Sequence, residues 1–138
     1  YQIYTEWADT RTNGKALGVS YNHSTYKGGF YQHGYPLAHA MGGDGQMISV
    51  GGDLNIDPMN RLHSRLLFAK LNESGRLTNL AFPQKDEIKA LDITWTHYLR
   101  PNVPLKLNGW ISDSDLNGQD GGASLGVEFP LDRSLFSY

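Results

Sequence analysis

Aromatic and imidazole side chains crowd one glycine-rich stretch of this chain: Tyr26, Phe30, Tyr31, His33, Tyr35 and His39 all fall within residues 26–45. Sugars present apolar C–H faces that pack on aromatic rings, and hydroxyls that need donors and acceptors nearby. Gln32, His33, Asp44 and Gln46 can supply those. The same composition also suits a loop that folds back and packs its own aromatics as a plug, and the two readings are compatible.

A second candidate is the string Asp113-Ser114-Asp115-Leu116-Asn117-Gly118, followed by Asp120. Oxygen donors at its first, third and fifth positions, with glycine at the sixth, match the start of a calcium loop. Its twelfth position is Ser124 instead of a glutamate, and strand patterns flank it, so an EF-hand is excluded. The plainer reading is an acidic hairpin loop; if the chain takes any cofactor, calcium at Asp113, Asp115, Asn117 and Asp120 is the one the residues suggest. His23, His33 and His39 fit neither a helical i, i+4 pair nor a zinc-ribbon spacing, so polar or interior-facing histidines are the better reading.

Catalysis finds little support. Asp113 with Glu128, or Asp44 with Asp53, would have to serve as a glycosidase pair, which needs a defined separation that a sequence does not display. There is no nucleophile elbow, phosphate loop or zinc-helix motif, and the expectation is a non-enzyme. The charge balance excludes less but still constrains. With 12 basic and 14 acidic residues, the net charge of -2 gives no electrostatic reason to propose nucleic acid as a partner. The 138 residues hold no cysteine, so disulfide scaffolds, thiolate zinc sites and cysteine nucleophiles are excluded.

The elements that must position these residues are strands. Period-two alternation recurs in seven segments, over residues 2–8, 15–25, 46–56, 61–71, 88–99, 105–112 and 123–131. In the fifth, Leu91, Ile93 and Trp95 alternate with Asp92, Thr94 and Thr96; in the sixth, Leu105, Leu107 and Ile111 alternate with Lys106, Asn108 and Trp110. Residues 61–71 are ambiguous, because the adjacent Leu66 and Leu67 require a bulge or a two-sided strand. Asp92, Lys106, Trp110 and Glu128 share the polar phase of neighbouring strands, where such residues line a path for polysaccharide or neutralise one another. The second is the default.

Connection lengths sort with this pattern. Joins at 9–14, 57–60 and 100–104 are short, the last two rich in proline and asparagine; joins at 26–45, 72–87 and 113–122 are long. Barrels of the outer membrane place short turns in the periplasm and long loops outside, and a soluble sandwich has no reason to sort its loops by end. No stretch of about 18 apolar residues exists for a transmembrane helix. The fold expected is therefore all-β, an antiparallel transmembrane β-barrel of the outer membrane. Seven strands leave open edges that lipid does not tolerate, so the chain is expected to be one segment without separate domains, the C-terminal arc of a larger barrel whose remaining strands are its partners. The tail 132–138 is the least regular part, with Pro130 interrupting the last strand.

One loop string carries a resemblance: Gly34-Tyr35-Pro36-Leu37-Ala38-His39-Ala40-Met41-Gly42-Gly43-Asp44-Gly45. Together with Tyr4-Thr5-Glu6-Trp7-Ala8-Asp9-Thr10-Arg11, Gly18-Val19-Ser20-Tyr21-Asn22-His23, Ala81-Phe82-Pro83-Gln84 and Gly122-Ala123-Ser124-Leu125-Gly126-Val127-Glu128, it resembles the C-terminal part of the Wzi family of capsule-assembly proteins. The resemblance implies a Gram-negative outer-membrane barrel of about eighteen strands, with its long loops extracellular and lipid around it. It further implies a non-catalytic, lectin-like role, in which the protein binds capsular polysaccharide and attaches or organises it at the cell surface. A diffusion porin on the same architecture and an outer-membrane glycan or lipid hydrolase are the rival functions.

Overall fold

A computed structural model of the chain describes residues 1–12, 19–22, 25, 29–33, 35–77 and 79–129. Six long strands form one antiparallel sheet: β1 (Gln2–Asp9), β4 (Gly45–Asp57), β5 (Asn60–Leu71), β6 (Asp86–Arg100), β7 (Val103–Ser114) and β8 (Gly118–Val127). They lie in the order β1-β4-β5-β6-β7-β8. Two short strands, β2 (Tyr31–Gln32) and β3 (Tyr35–Pro36), make a separate hairpin within the long β1–β4 connection.

The two faces of the sheet divide by chemistry. One carries Trp7, Ile48, Val50, Leu54, Leu66, Phe68, Leu91, Ile93, Trp95, Leu107, Ile111, Leu125 and Val127, in register across the strands. Most of these are exposed, Leu125 at 70%. The other face carries Glu6, Asp53, His63, Arg65, Asp92, Asn108, Lys106 and Trp110, and the loops fold onto it. A water-soluble sheet buries its apolar side and wets its polar one. This sheet does the reverse, the pattern of a strand set with hydrocarbon outside and a polar interior. The β5 ambiguity resolves as a two-sided strand without a bulge: Leu66 pairs with Val50 and Leu91 on the apolar face, Leu67 with Ser49 and Ala90 on the other.

Two sequence expectations are corrected. Where a strand was expected over residues 15–25, the described residues 19–22 form a turn, with Tyr21 at a φ of 68° and Asn22 N–H donating to Val19 O. Alternation there reflects a loop that packs its own side chains; residues 13–18, 23, 24 and 26–28 lie outside the described set. The chain after β1 therefore does not turn back at once, and β1 pairs with β4, beyond the whole loop. The join expected over 113–122 is short: β7 and β8 run on to Ser114 and from Gly118. Ser114 Oγ accepts from Asn117 N–H at 3.1 Å, and buried Asp86 accepts from Ser114 Oγ and Leu116 N–H, which together close a tight turn. Short turns at 58–59 and 101–102 share one end, and the long connections 10–44 and 72–85 share the other. Loop length thus sorts by end except at 115–117.

Packing is concentrated where the long loops meet the polar face. Met41 and Phe82 from the loops pack against Ala8, Met47, Leu67, Ala69, Leu71 and Ile88 of the wall. Each fully buried apolar side chain of this kind contributes about 1.5–3 kcal/mol relative to exposure. Lower on the same face, the Tyr4 ring lies flat on Gly51 and stacks on His63, with centroids 6.3 Å apart. A Cβ at Gly51 would stand 2.2 Å from Tyr4 Cζ. Gly51→Ala is therefore expected to destabilise the sheet by about 1–3 kcal/mol through overpacking. Adding Tyr4→Ala should return most of that loss in denaturant unfolding; a double variant no better than the single would show that the ring is not the cause.

Candidate functional site

The loop singled out by its aromatics divides into anchors and an exposed surface. Tyr31, 8% exposed, turns inward. Its hydroxyl accepts from Gly43 N–H at 2.9 Å and donates to Asn79 Oδ1 at 3.2 Å, and burial raises its phenol above the ordinary value, so it stays protonated at neutral pH. Tyr21 packs on Phe30 and Tyr31, and its hydroxyl accepts from His39 N–H at 2.7 Å. Asp44 is buried too, with a φ of 62°; its carboxylate accepts from Ser74 N–H at 2.8 Å and from the Ser74 hydroxyl. Thr10 Oγ1 donates to Gly42 O at 2.8 Å and accepts from Gly45 N–H at 3.0 Å, pinning the loop to the end of β1.

Asn79 connects the two long loops. Its Nδ2 donates to Met41 O (3.1 Å) and Gly43 O (2.6 Å), while Oδ1 accepts from Ala81 N–H, Phe82 N–H and the Tyr31 hydroxyl. Gly42, at a φ of 66°, lies so close that a Cβ there would stand 2.7 Å from Asn79 Oδ1. Sequence reading missed Asn79: a lone loop asparagine carries no signal, and its partners lie as far as 48 residues away.

What remains outside is the β2–β3 hairpin. Phe30 is 61% exposed and Tyr35 76%, and Gln32 and His33 are exposed beside them. His39 is half-buried; its Nδ1 faces Met41 N–H at 3.3 Å, and its Nε2 stands 4.0 Å from Glu6 Oε1. Tyr26 lies outside the described residues, as does His23. Of the aromatic group expected to touch sugar, the structure thus brings Phe30, Gln32, His33 and Tyr35 to one exposed patch, and uses Tyr31 and Asp44 to hold that patch in place.

The other candidates are dispersed. Asp113 shares the apolar phase with Lys89 and Gln119, Asp115 and Asn117 sit in the turn, and Asp120 is on the polar phase with Ser112. Among the described residues no three His, Cys, Asp or Glu side chains gather as a metal-holding group. Asp44 and Asp53 are separated by nearly the length of β4, about 30 Å, and Asp113 and Glu128 by a similar run of β8, whereas glycosidase pairs stand within about 10 Å. On the polar face Asp92 pairs in register with Trp110 and accepts from Asn108 Nδ2 at 2.9 Å, and Lys106 forms an ion pair with Glu128. Trp110 lies on Gly122 as Tyr4 lies on Gly51.

Comparison with known proteins places this arrangement. The family model for capsule assembly protein Wzi matches residues 1–125. A protein from the cps region of Klebsiella pneumoniae, described as an uncharacterized 55.8 kDa protein, is 39% identical over 129 residues, which is 93% of this chain and 26% of that protein. A solved structure from Escherichia coli, described as Wzi, an outer membrane protein involved in group 1 capsule assembly and a carbohydrate binding beta-barrel, superposes with a TM-score of 0.73 at 38% identity. That alignment covers 94% of this chain and 30% of the other. The chain therefore spans between a quarter and a third of the length of these relatives, and its sheet corresponds to an arc of the barrel.

Proposed function

This chain belongs to the Wzi family of capsule assembly proteins, and from that premise we propose that it contributes the loop-bearing arc of an outer-membrane barrel that binds capsular polysaccharide without catalysis and so holds or organises it at the cell surface. The apolar face is the lipid-facing side, the polar face lines the interior, and the long connections 10–44 and 72–85 lie outside the cell. The observation that carries the reading is the β2–β3 hairpin, with Phe30 and Tyr35 exposed beside Gln32 and His33 on a loop whose inner residues are pinned to the wall. A fixed aromatic surface binds a sugar ring without first losing conformational freedom, which is where weak carbohydrate contacts gain affinity.

The packing of Met41 and Phe82 against the polar face supports a bore narrowed by its own loops, and so favours binding over free diffusion. The spread of the carboxylates supports a non-catalytic role. For the test, the complete protein, in detergent or lipid nanodiscs, is titrated with capsular polysaccharide of its own strain. Phe30→Ala/Tyr35→Ala is expected to weaken binding roughly 10- to 100-fold, each ring contributing on the order of 1 kcal/mol. Folding should be little affected, because Tyr35 is exposed and Phe30 is mostly so, touching Tyr21 by its ring alone. Unchanged affinity in a folded double variant would remove the hairpin from the binding surface.

A further inference from the structure

A recess opens at the loop end beside residues 81–84. These residues lie over the polar side of β6, β7 and β8 and border an open recess of about 600 Å³, a volume in the range of small-ligand pockets. Phe82 forms one wall and is held there by the buried cluster of Met41, Met47, Ala69 and Leu71. Asp86, at the back, is 5% exposed and already accepts from Ser114 Oγ and Leu116 N–H. The side chains of Gln84, Ser112 and Asn117 have no hydrogen-bond partner among the described residues, and Asp120 uses only Oδ1, toward Gly121 N–H.

The lining selects a ligand class by elimination. Among the described residues of this arc it contains no Lys, Arg or His, so a phosphate or uronate finds no counter-charge from this arc and meets Asp86 and Asp120. A wholly apolar ligand would strand two amides, a hydroxyl and a carboxylate oxygen away from water. A neutral pyranose satisfies both demands, with its C–H face on the Phe82 ring and its hydroxyls on Gln84, Ser112, Asn117 and Asp120. We propose that this recess is a second saccharide subsite, selective for neutral sugar residues over uronates. The proposal rests on the polysaccharide-binding reading and adds to it a place and a selectivity.

The experiment uses the complete protein in detergent, with gluco-, galacto- and manno-oligosaccharides set against oligogalacturonate of matched length, and calorimetry as the readout. At least one neutral series is expected to bind, and the galacturonate is expected not to. Gln84→Ala/Asn117→Ala, at exposed positions, should weaken the neutral series at least tenfold. Asp120→Lys should recover measurable galacturonate binding by supplying the missing cation. If the wild type binds capsular polysaccharide but Gln84→Ala/Asn117→Ala binds the neutral series equally well, the subsite is overturned and the hairpin reading survives. A wild type that binds neither polysaccharide nor oligosaccharide overturns both.

Discussion

Asn79→Leu is expected to lower the unfolding free energy by about 4 kcal/mol, because buried polar groups left without partners cost about 1–3 kcal/mol each. Asn79 is 1% exposed, and its side chain is the shared partner of Met41 O, Gly43 O, Ala81 N–H, Phe82 N–H and the Tyr31 hydroxyl. Leucine conserves the volume and removes every one of those bonds at once. Part of the penalty returns as the loops loosen and water enters, so the loss shows in two measurements. Denaturant unfolding of the complete protein in detergent should shift to a lower midpoint, and limited proteolysis should cut faster within residues 37–44 and 79–85 than in the wild type. Asn79→Asp keeps the acceptor and loses the donor, so it should fall between the two. A leucine variant with the wild-type midpoint and wild-type protease resistance would mean that the loops are held elsewhere.

Ile93→Arg is expected to cost about 2–4 kcal/mol, the depth-dependent penalty for a guanidinium on the lipid face of a barrel near the bilayer midplane. Ile93 lies on the apolar face, in register with Ser64 and Gly109 and two residues from both Leu91 and Trp95. In water the same exposed position would tolerate arginine to within about 0.5 kcal/mol. The neighbouring Thr94→Arg supplies the comparison, since Thr94 faces the polar side beside His63 and Asn108. Folding into lipid vesicles, followed by denaturant titration, should show the Ile93 variant destabilised and the Thr94 variant near wild type. Equal tolerance at both positions would place neither face in hydrocarbon.

Much of the wall was legible because its signal is local. A residue in an extended strand points opposite to its neighbour, so the alternation of Leu91, Ile93 and Trp95 with Asp92, Thr94 and Thr96 already assigns each to a face. Asp57-Pro58-Met59-Asn60 marks its turn for an equally local reason: proline presets φ, and the Asp57 carboxylate accepts from Met59 N–H at 2.7 Å. Residues 15–25 misled because Val19 and Tyr21 alternate as a strand would, yet Tyr21 adopts a left-handed φ to reach the backbone of His39. Residues 113–122 misled in the opposite sense. Their acids and glycines have loop composition, but the buried Asp86 and the paired edges of β7 and β8 carry the ladder to Ser114 and Gly118.

The glycine-rich aromatic loop marks where the sequence stops and the tertiary structure begins. Composition alone identified residues 26–45 as the place where aromatic chemistry gathers, and the period-two strands determined the two faces that the loop must meet. Which aromatic turns inward was decided only in three dimensions. Tyr31 and Tyr35 are the same residue type on one short hairpin, and they differ because Tyr31 finds Gly43 N–H and Asn79 while Tyr35 finds solvent. Side-chain direction along a strand follows from backbone geometry and is written locally; burial in a loop follows from partners brought from distant parts of the chain, and no local pattern encodes them.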